Sequence, residues 1–132
     1  MRARSTKYST AALDALNKLG HATNFELLDK VRVLFPDVSA TTIHRVTSRL
    51  LGRDIIAKAP SDNFGSMRYD SNTKPHDHFI CSICGGIRDI DVAESFVPKI
   101  SAEMGGCSIS GRLVIYGDCE KCKVSLRKDI KK

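Results

Sequence analysis

Tryptophan is absent from this 132-residue chain, and aromatic residues make up only 6% of it. It therefore lacks the clustered aromatic platforms on which single-stranded bases stack. No apolar run approaches the roughly 20 residues needed to cross a bilayer, so no membrane partner is expected. Arg2, Arg4 and Lys7 lead into a polar, Ser/Thr-containing stretch instead of an apolar one, so the start of the chain does not read as a secretory signal. A cytoplasmic location is expected. Acidic residues are also short: 21 Lys and Arg face 15 Asp and Glu, a formal charge of +6, which is a mild bias toward a polyanion. The bias is uneven, with ten basic against five acidic residues over 1–60 and eleven against ten over 61–132. The first half is the better candidate for touching phosphate.

Cysteine, by contrast, is abundant for a cytoplasmic chain and it is paired: Cys81-Ser-Ile-Cys84 and Cys119-Glu-Lys-Cys122. A two-residue spacer lets both thiolates of a turn point at one ion, and two such turns can close a tetrahedral zinc site. In a reducing compartment, clustered cysteines bind metal more often than they form disulfides. Just ahead of the first pair, the segment from Asp70 through His76-Asp77-His78 to Cys81 offers further nitrogen and oxygen ligands that a four-thiolate zinc does not need. With 42% hydrophobic residues, the chain can build one modest core or two small ones. A unit of roughly 60 residues is only marginally self-supporting, so a metal staple in one half would matter.

The first half reads as helical. Leu13, Leu16 and Leu19 mark a short amphipathic helix from about Ser9 to Leu19, ended by Gly20. Thr23-Asn-Phe-Glu26 fits a capping box for a second helix, with Leu27, Val31 and Leu34 on one face until Pro36 stops it. A third helix follows Ser39, with Ile43, Val46 and Leu50 inward. Thr41, His44, Arg45 and Ser48 then point outward, with Arg49 at the margin. Asp54-Ile-Ile-Ala-Lys-Ala59, a turn-rich Pro60–Gly65 and Ser66–Asp70 complete three helices and a two-stranded hairpin, a winged helix-turn-helix. In that arrangement the third helix enters the major groove and the wing follows the backbone. The outward residues of the third helix also fit an ordinary solvated face.

The second half changes texture. The β-favouring runs His78–Cys81, Ile87–Val92 and Leu113–Tyr116 are separated by glycines, with a helix expected from about Val97 to Met104 and Pro98 in its first turn. A three-stranded sheet with one helix leaves apolar surface uncovered, and pairing with a second copy is the expected remedy. The expected class is α+β, with a winged helix-turn-helix DNA-binding domain over 1–72 and a small α/β zinc-containing dimerisation domain over 73–132.

These pieces in this order resemble the Fur family of metal-responsive bacterial transcription regulators, closest to its peroxide-sensing PerR branch. The likeness rests on Phe35-Pro-Asp-Val-Ser-Ala-Thr-Thr-Ile-His-Arg45, Tyr69-Asp70, His76-x-His78-x-x-Cys81-x-x-Cys84-Gly85 and Ile115-Tyr-Gly-x-Cys119-x-x-Cys122, and it covers nearly the whole chain. It implies a structural zinc on Cys81, Cys84, Cys119 and Cys122. It also implies a regulatory Fe(II) or Mn(II) on His21, Asp70, His76, His78 and Asp89, a nitrogen/oxygen set that zinc could also enter. The implied protein is a homodimer that binds a pseudo-palindromic double-stranded operator, through Thr41, His44, Arg45, Ser48 and Arg49, when the regulatory metal is present. Repression is the expected mode of control, and no enzymatic activity is implied.

Asp rather than Glu at positions 70 and 89 favours the PerR branch, in which peroxide oxidises a ligand imidazole, here His21 or His76. An iron, manganese or zinc uptake regulator without peroxide sensing is the alternative. The chain departs from the family in four places. His44 stands where a Tyr is usual, the N-terminal extension is too short for a full leading helix, Pro75 and Gly111 replace the histidines of a third metal site, and Cys107 is unpartnered and reads as a small buried apolar residue. A zinc hydrolase would need an open metal position beside a general base, which four cysteines do not leave and for which no catalytic motif is present. A structural zinc adaptor would explain the cysteines but not the His/Asp set.

Overall fold

The computed structural model describes residues 2–109 and 112–124. The class is α+β, and the chain divides into two compact units, Met1–Lys74 and Pro75–Lys132, each with a three-stranded sheet.

In the first unit, helix α1 (Arg2–Leu19) begins well before the expected Ser9, so the residues ahead of Ser9 form the first turns of that helix. Gly20 stops α1 with φ +83° and donates its N–H to Leu16 O at 2.7 Å, the left-handed ending that glycine adopts without a Cβ penalty. Strand β1 (His21–Thr23) runs directly into helix α2 (Asn24–Leu34). The expected capping box is present: Glu26 N–H donates to Thr23 Oγ1 at 3.2 Å and Thr23 N–H to Glu26 Oε1 at 3.1 Å. Leu27, Leu28 and Val31 turn inward. Leu34, expected on that face, is exposed at the last position of the helix.

Helix α3 (Ala40–Gly52) starts at Ser39, whose hydroxyl accepts Thr42 N–H at 3.1 Å, and it buries Ile43, Val46, Thr47 and Leu50. The Thr47 hydroxyl lies 2.8 Å from Asn24 Oδ1, tying the middle of α3 to the start of α2. The core of this unit gathers Leu16, Leu27, Val31, Ile43, Ile56 and Tyr69. Strands β2 (Ala57–Ala59) and β3 (Arg68–Asp70) form the expected hairpin, but the sheet has a third strand, in order β1-β3-β2, all antiparallel. His21–Thr23 is too short to show a period of its own, and only its pairing to β3 makes it a strand. At the tip of the hairpin, Asp62 Oδ1 accepts the N–H groups of Phe64 (2.9 Å) and Ser66 (2.8 Å), and Phe64 stands in solvent.

In the second unit, strands β4 (Asp77–Cys81), β5 (Ile87–Ile90) and β6 (Val114–Gly117) form a sheet in order β5-β4-β6. β4 and β5 are antiparallel, while β4 and β6 are parallel, with helix α4 (Ala93–Glu103) in the connection between β5 and β6. The sequence predicts this helix over Val97–Met104 with Pro98 in its first turn. It starts four residues earlier, leaving Pro98 inside it. The reason lies outside the helix: Asp77 Oδ2 accepts the N–H groups of Val92 (3.1 Å) and Ala93 (3.0 Å), and so starts the helix from a neighbouring strand. α4 buries no residue, leaving Phe96, Ile100 and Met104 half exposed, and Val114, Ile115 and Tyr116 of β6 are exposed as well.

Candidate metal centres and nucleic-acid face

The four paired cysteines converge. The sulfurs of Cys81, Cys84, Cys119 and Cys122 all lie within 4.8 Å of one another, and Cys84 and Cys119 are 3.9 Å apart. A tetrahedron of Zn–S bonds of about 2.3 Å places sulfurs about 3.8 Å apart, whereas a disulfide needs about 2.05 Å. The donor set therefore fits zinc. The first knuckle forms as β4 ends, where Cys84 N–H and Cys119 N–H each point to Cys81 Sγ at 3.4 Å and Gly86 N–H points to Cys84 Sγ at 3.4 Å. The second follows β6, where a helical turn closed by Lys123 N–H to Cys119 O (2.8 Å) brings Cys122 back beside Cys119. The parallel pairing of Cys81 with Gly117 aligns the two knuckles.

The thiols are not equivalent. The backbone donors of Cys84 and Cys119 hold Cys81 down to about 6 despite its burial, while hydrogen bonding to Cys119 and burial push Cys122 up to about 12. Without a cation, Cys81 favours its thiolate and Cys122 resists giving up its proton. A dication removes that resistance by displacing the protons.

The nitrogen and oxygen candidates fall into a group within each unit. In the first, His21 and Asp70 are directly opposite on β1 and β3, and His21 Nε2 lies 3.3 Å from Asp70 Oδ2. Opposite residues of an antiparallel pair share a face with adjacent Cβ atoms, which is why a strand of only three residues suffices to bring them together. The Asp70 carboxylate is buried, and its Oδ1 accepts Asn72 N–H at 2.9 Å. Gly20 on one side and the Thr23 cap on the other confine His21 to that position.

In the second unit, His78 and Asp89 are likewise opposite, on β4 and β5. Asp89 Oδ1 lies 3.1 Å from His76 Nε2 and 3.4 Å from His78 Nε2, and the two imidazole centroids are 4.5 Å apart. Two imidazoles and one carboxylate brought together in this way form a nitrogen/oxygen donor group of a kind that a divalent ion can enter. Asp77, between the two histidines in sequence, is directed elsewhere. Burial alone would raise its carboxyl, but the N–H groups of Leu113, Val92 and Ala93 outweigh that and hold it below the usual carboxylate range.

On α3, Thr41, His44, Arg45, Ser48 and Arg49 are all exposed, while Ile43, Val46 and Leu50 between them are buried. The polar face expected of this helix is therefore solvent-facing, and His44 lies on it. Cys107 is exposed, not buried as expected, where the chain after α4 turns through Gly105 and Gly106. Pro75 is exposed, and Gly111 lies outside the described residues. Two features escape a reading of the sequence. Asp77 looks like part of a ligand run until its three backbone donors are seen. Arg88 binds both oxygens of Glu120 at 2.6 and 2.7 Å, joining β5 to the second knuckle across 32 residues, a separation no local pattern reveals.

A profile of the ferric uptake regulator family matches residues 2–115. The transcriptional regulator FurA of Mycobacterium tuberculosis is 32% identical over 126 residues, covering 92% of this chain and 84% of that protein. The peroxide operon regulator of Bacillus subtilis is 30% identical over 122 residues, covering 90% and 83%. Among solved structures, the Helicobacter pylori ferric uptake regulator Fur superposes with a TM-score of 0.72 at 20% identity, covering 89% of this chain and 80% of that one.

Proposed function

The chain belongs to the ferric uptake regulator family, and we propose that it is a metal-dependent repressor of the PerR kind, in which a divalent ion held by His21, Asp70, His76, His78 and Asp89 controls operator binding. That it is a metal-responsive transcription regulator, and not a hydrolase or a structural adaptor, follows from the family. Residues 1–72 are the DNA-binding domain in this reading, and residues 73–132 the domain for dimerisation and metal. The protein acts on DNA in the cytoplasm.

The observation that carries the ligand assignment is the pair of cross-strand His–Asp matches, His21 with Asp70 and His78 with Asp89. Each gives one imidazole and one carboxylate, and His76 adds a third imidazole at 3.1 Å from Asp89. Neither group is a full coordination shell. Asp70 and His76 are six residues apart in sequence, so the chain between them reaches at most about 20 Å. One ion shared by both groups would make the orientation of the DNA-binding unit depend on metal. A ligand shifts such an equilibrium only by its differential affinity for the two states.

Two carboxylates neutralise the dication, and with no thiolate present the set admits Fe(II) or Mn(II) as readily as zinc. The four-cysteine cluster takes the structural Zn(II). Bound Fe(II) would supply one-electron chemistry toward peroxide. The chain supplies the imidazoles that such chemistry consumes, His21 and His76, both held within about 3.3 Å of a carboxylate oxygen. The exposed apolar surface of α4 and β6 suits a second copy, and a two-fold dimer would present two α3 helices to successive major grooves of a pseudo-palindromic site.

The test is to purify the protein anaerobically and select a duplex from a random pool with the Mn(II)-loaded form. Binding to that duplex is then compared with Fe(II), Mn(II) and Zn(II), before and after peroxide. Loss of binding in the Fe(II) sample alone, with one oxygen gained on a peptide containing His21 or His76, is expected. Equal insensitivity with every metal would leave an uptake regulator without peroxide sensing.

A further inference from the structure

Asp77 is a carboxylate only 1% exposed, flanked in sequence by two candidate ligands, and it takes no part in either metal group. Burying a charge is costly unless hydrogen bonds satisfy it, and here three backbone donors from two distant segments do so. Oδ2 accepts Val92 N–H (3.1 Å) and Ala93 N–H (3.0 Å), at the start of α4, and Oδ1 accepts Leu113 N–H (3.0 Å), at the entry to β6. α4 has no side-chain cap of its own, so these bonds replace one and place a negative charge at the positive end of the helix.

Successive side chains of a strand point to opposite faces. His78 therefore projects from one side of β4 and Asp77 from the other, and His76, just ahead of the strand, lies beside His78 with ring centroids 4.5 Å apart. The same carboxylate also reaches past β5: Asp77 pairs with Ile90 and His78 with Asp89, and Val92 follows Asp89 by three residues. His78 N–H in turn donates to Leu113 O at 3.0 Å, so Leu113 is held by both its N–H and its C=O to adjacent residues of β4. The residue next to His78 in β4 thus ties the strand that carries His78 to the start of α4 and the entry to β6.

We propose that Asp77 is the positioning residue of the His76/His78/Asp89 metal group, and that it couples occupancy of that group to the start of α4 and thus to the apolar surface formed by α4 and β6. The inference rests on the reading that these three residues hold the regulatory ion. Charge-assisted hydrogen bonds of this kind are about twice as strong as neutral ones, and a two-arrangement element that both ends bias is what coupling requires.

The test uses the full-length, zinc-loaded protein and Mn(II) as the probe. Mn(II) affinity, zinc content and amide hydrogen exchange are measured for the wild type, Asp77→Asn and His78→Ala. His78→Ala is expected to abolish Mn(II) binding while keeping zinc; binding that survives it would overturn the site reading and the proposal with it. In the wild type, Mn(II) is expected to slow exchange of the Val92, Ala93 and Leu113 amides by tenfold or more. Asp77→Asn, which turns an amide NH2 toward backbone donors, is expected to weaken Mn(II) by at least tenfold with zinc unchanged. It should also remove the metal response of those three amides.

A purely structural Asp77 would give uniformly faster exchange that still responds to Mn(II), and that result overturns the coupling. So does an Asp77→Asn variant whose Mn(II) affinity stays within twofold of wild type. Should the variant fail to fold, the wild-type arm decides alone, since amides at the start of α4 that ignore Mn(II) sink the proposal.

Discussion

A histidine after a glycine turn has no evident task, and His21 acquires one only through its neighbours. Gly20 ends α1 in the left-handed region, Thr23 caps α2, and the interval between them is just long enough to pair with β3 and set His21 against Asp70. Replacing His21 with Ala removes a proposed ligand without altering Gly20 or Thr23, which set the two turns. Metal-dependent binding to the selected duplex is expected to fall at least tenfold in a titration, with zinc content unchanged. Cys122→Ser is expected to do the reverse of the latter: zinc measured by chelator release is lost, because a hydroxyl does not replace a thiolate in a site closed by four sulfurs. The residue types at both centres are legible in the sequence because ligand chemistry is local. Asp77 is misleading there for the same reason, since its donors Val92, Ala93 and Leu113 come from far along the chain.

The elements divide between those that carry their own signals and those that borrow them. α2 and α3 have caps written beside them, Thr23 with Glu26 and Ser39 with Thr42, and both lie close to where the sequence predicts them. β1 and the start of α4 are set by partners elsewhere in the chain, so no window of sequence could locate them. The α3 helix is held to α2 by the Thr47–Asn24 hydrogen bond at the centre of the buried face. Thr47→Val keeps the shape but leaves Asn24 Oδ1 without that donor, and is expected to destabilise by about 1–2 kcal/mol in denaturant unfolding. Pro98 has no N–H for the carbonyl of Glu94 and sits in the middle of α4. Proline costs about 3 kcal/mol against alanine in a helix interior, so Pro98→Ala is expected to raise the thermal midpoint of the second unit in calorimetry.

At the level of the whole molecule, two small units share one chain, and the second has little core of its own: Ile80, Cys81 and Cys119 are buried, while α4 buries nothing. Zinc held by the four cysteines would turn its binding energy into folding energy in such a unit, and association would cover the rest. β6 is an edge strand whose residues Val114, Ile115 and Tyr116 are exposed, and a charge there disfavours pairing. Ile115→Lys is expected to shift the sedimentation coefficient from dimer to monomer and to weaken binding to the selected duplex by at least tenfold. α4 also sets the order in which the molecule comes apart. A helix with an interior proline, no buried side chain and its N-terminal cap on a neighbouring strand cannot outlast that strand. Among the described helices and strands, residues 93–103 should thus be the first to open in subglobal unfolding, giving cellular proteases a foothold there, so the lifetime of the regulator would follow whatever keeps this one helix covered.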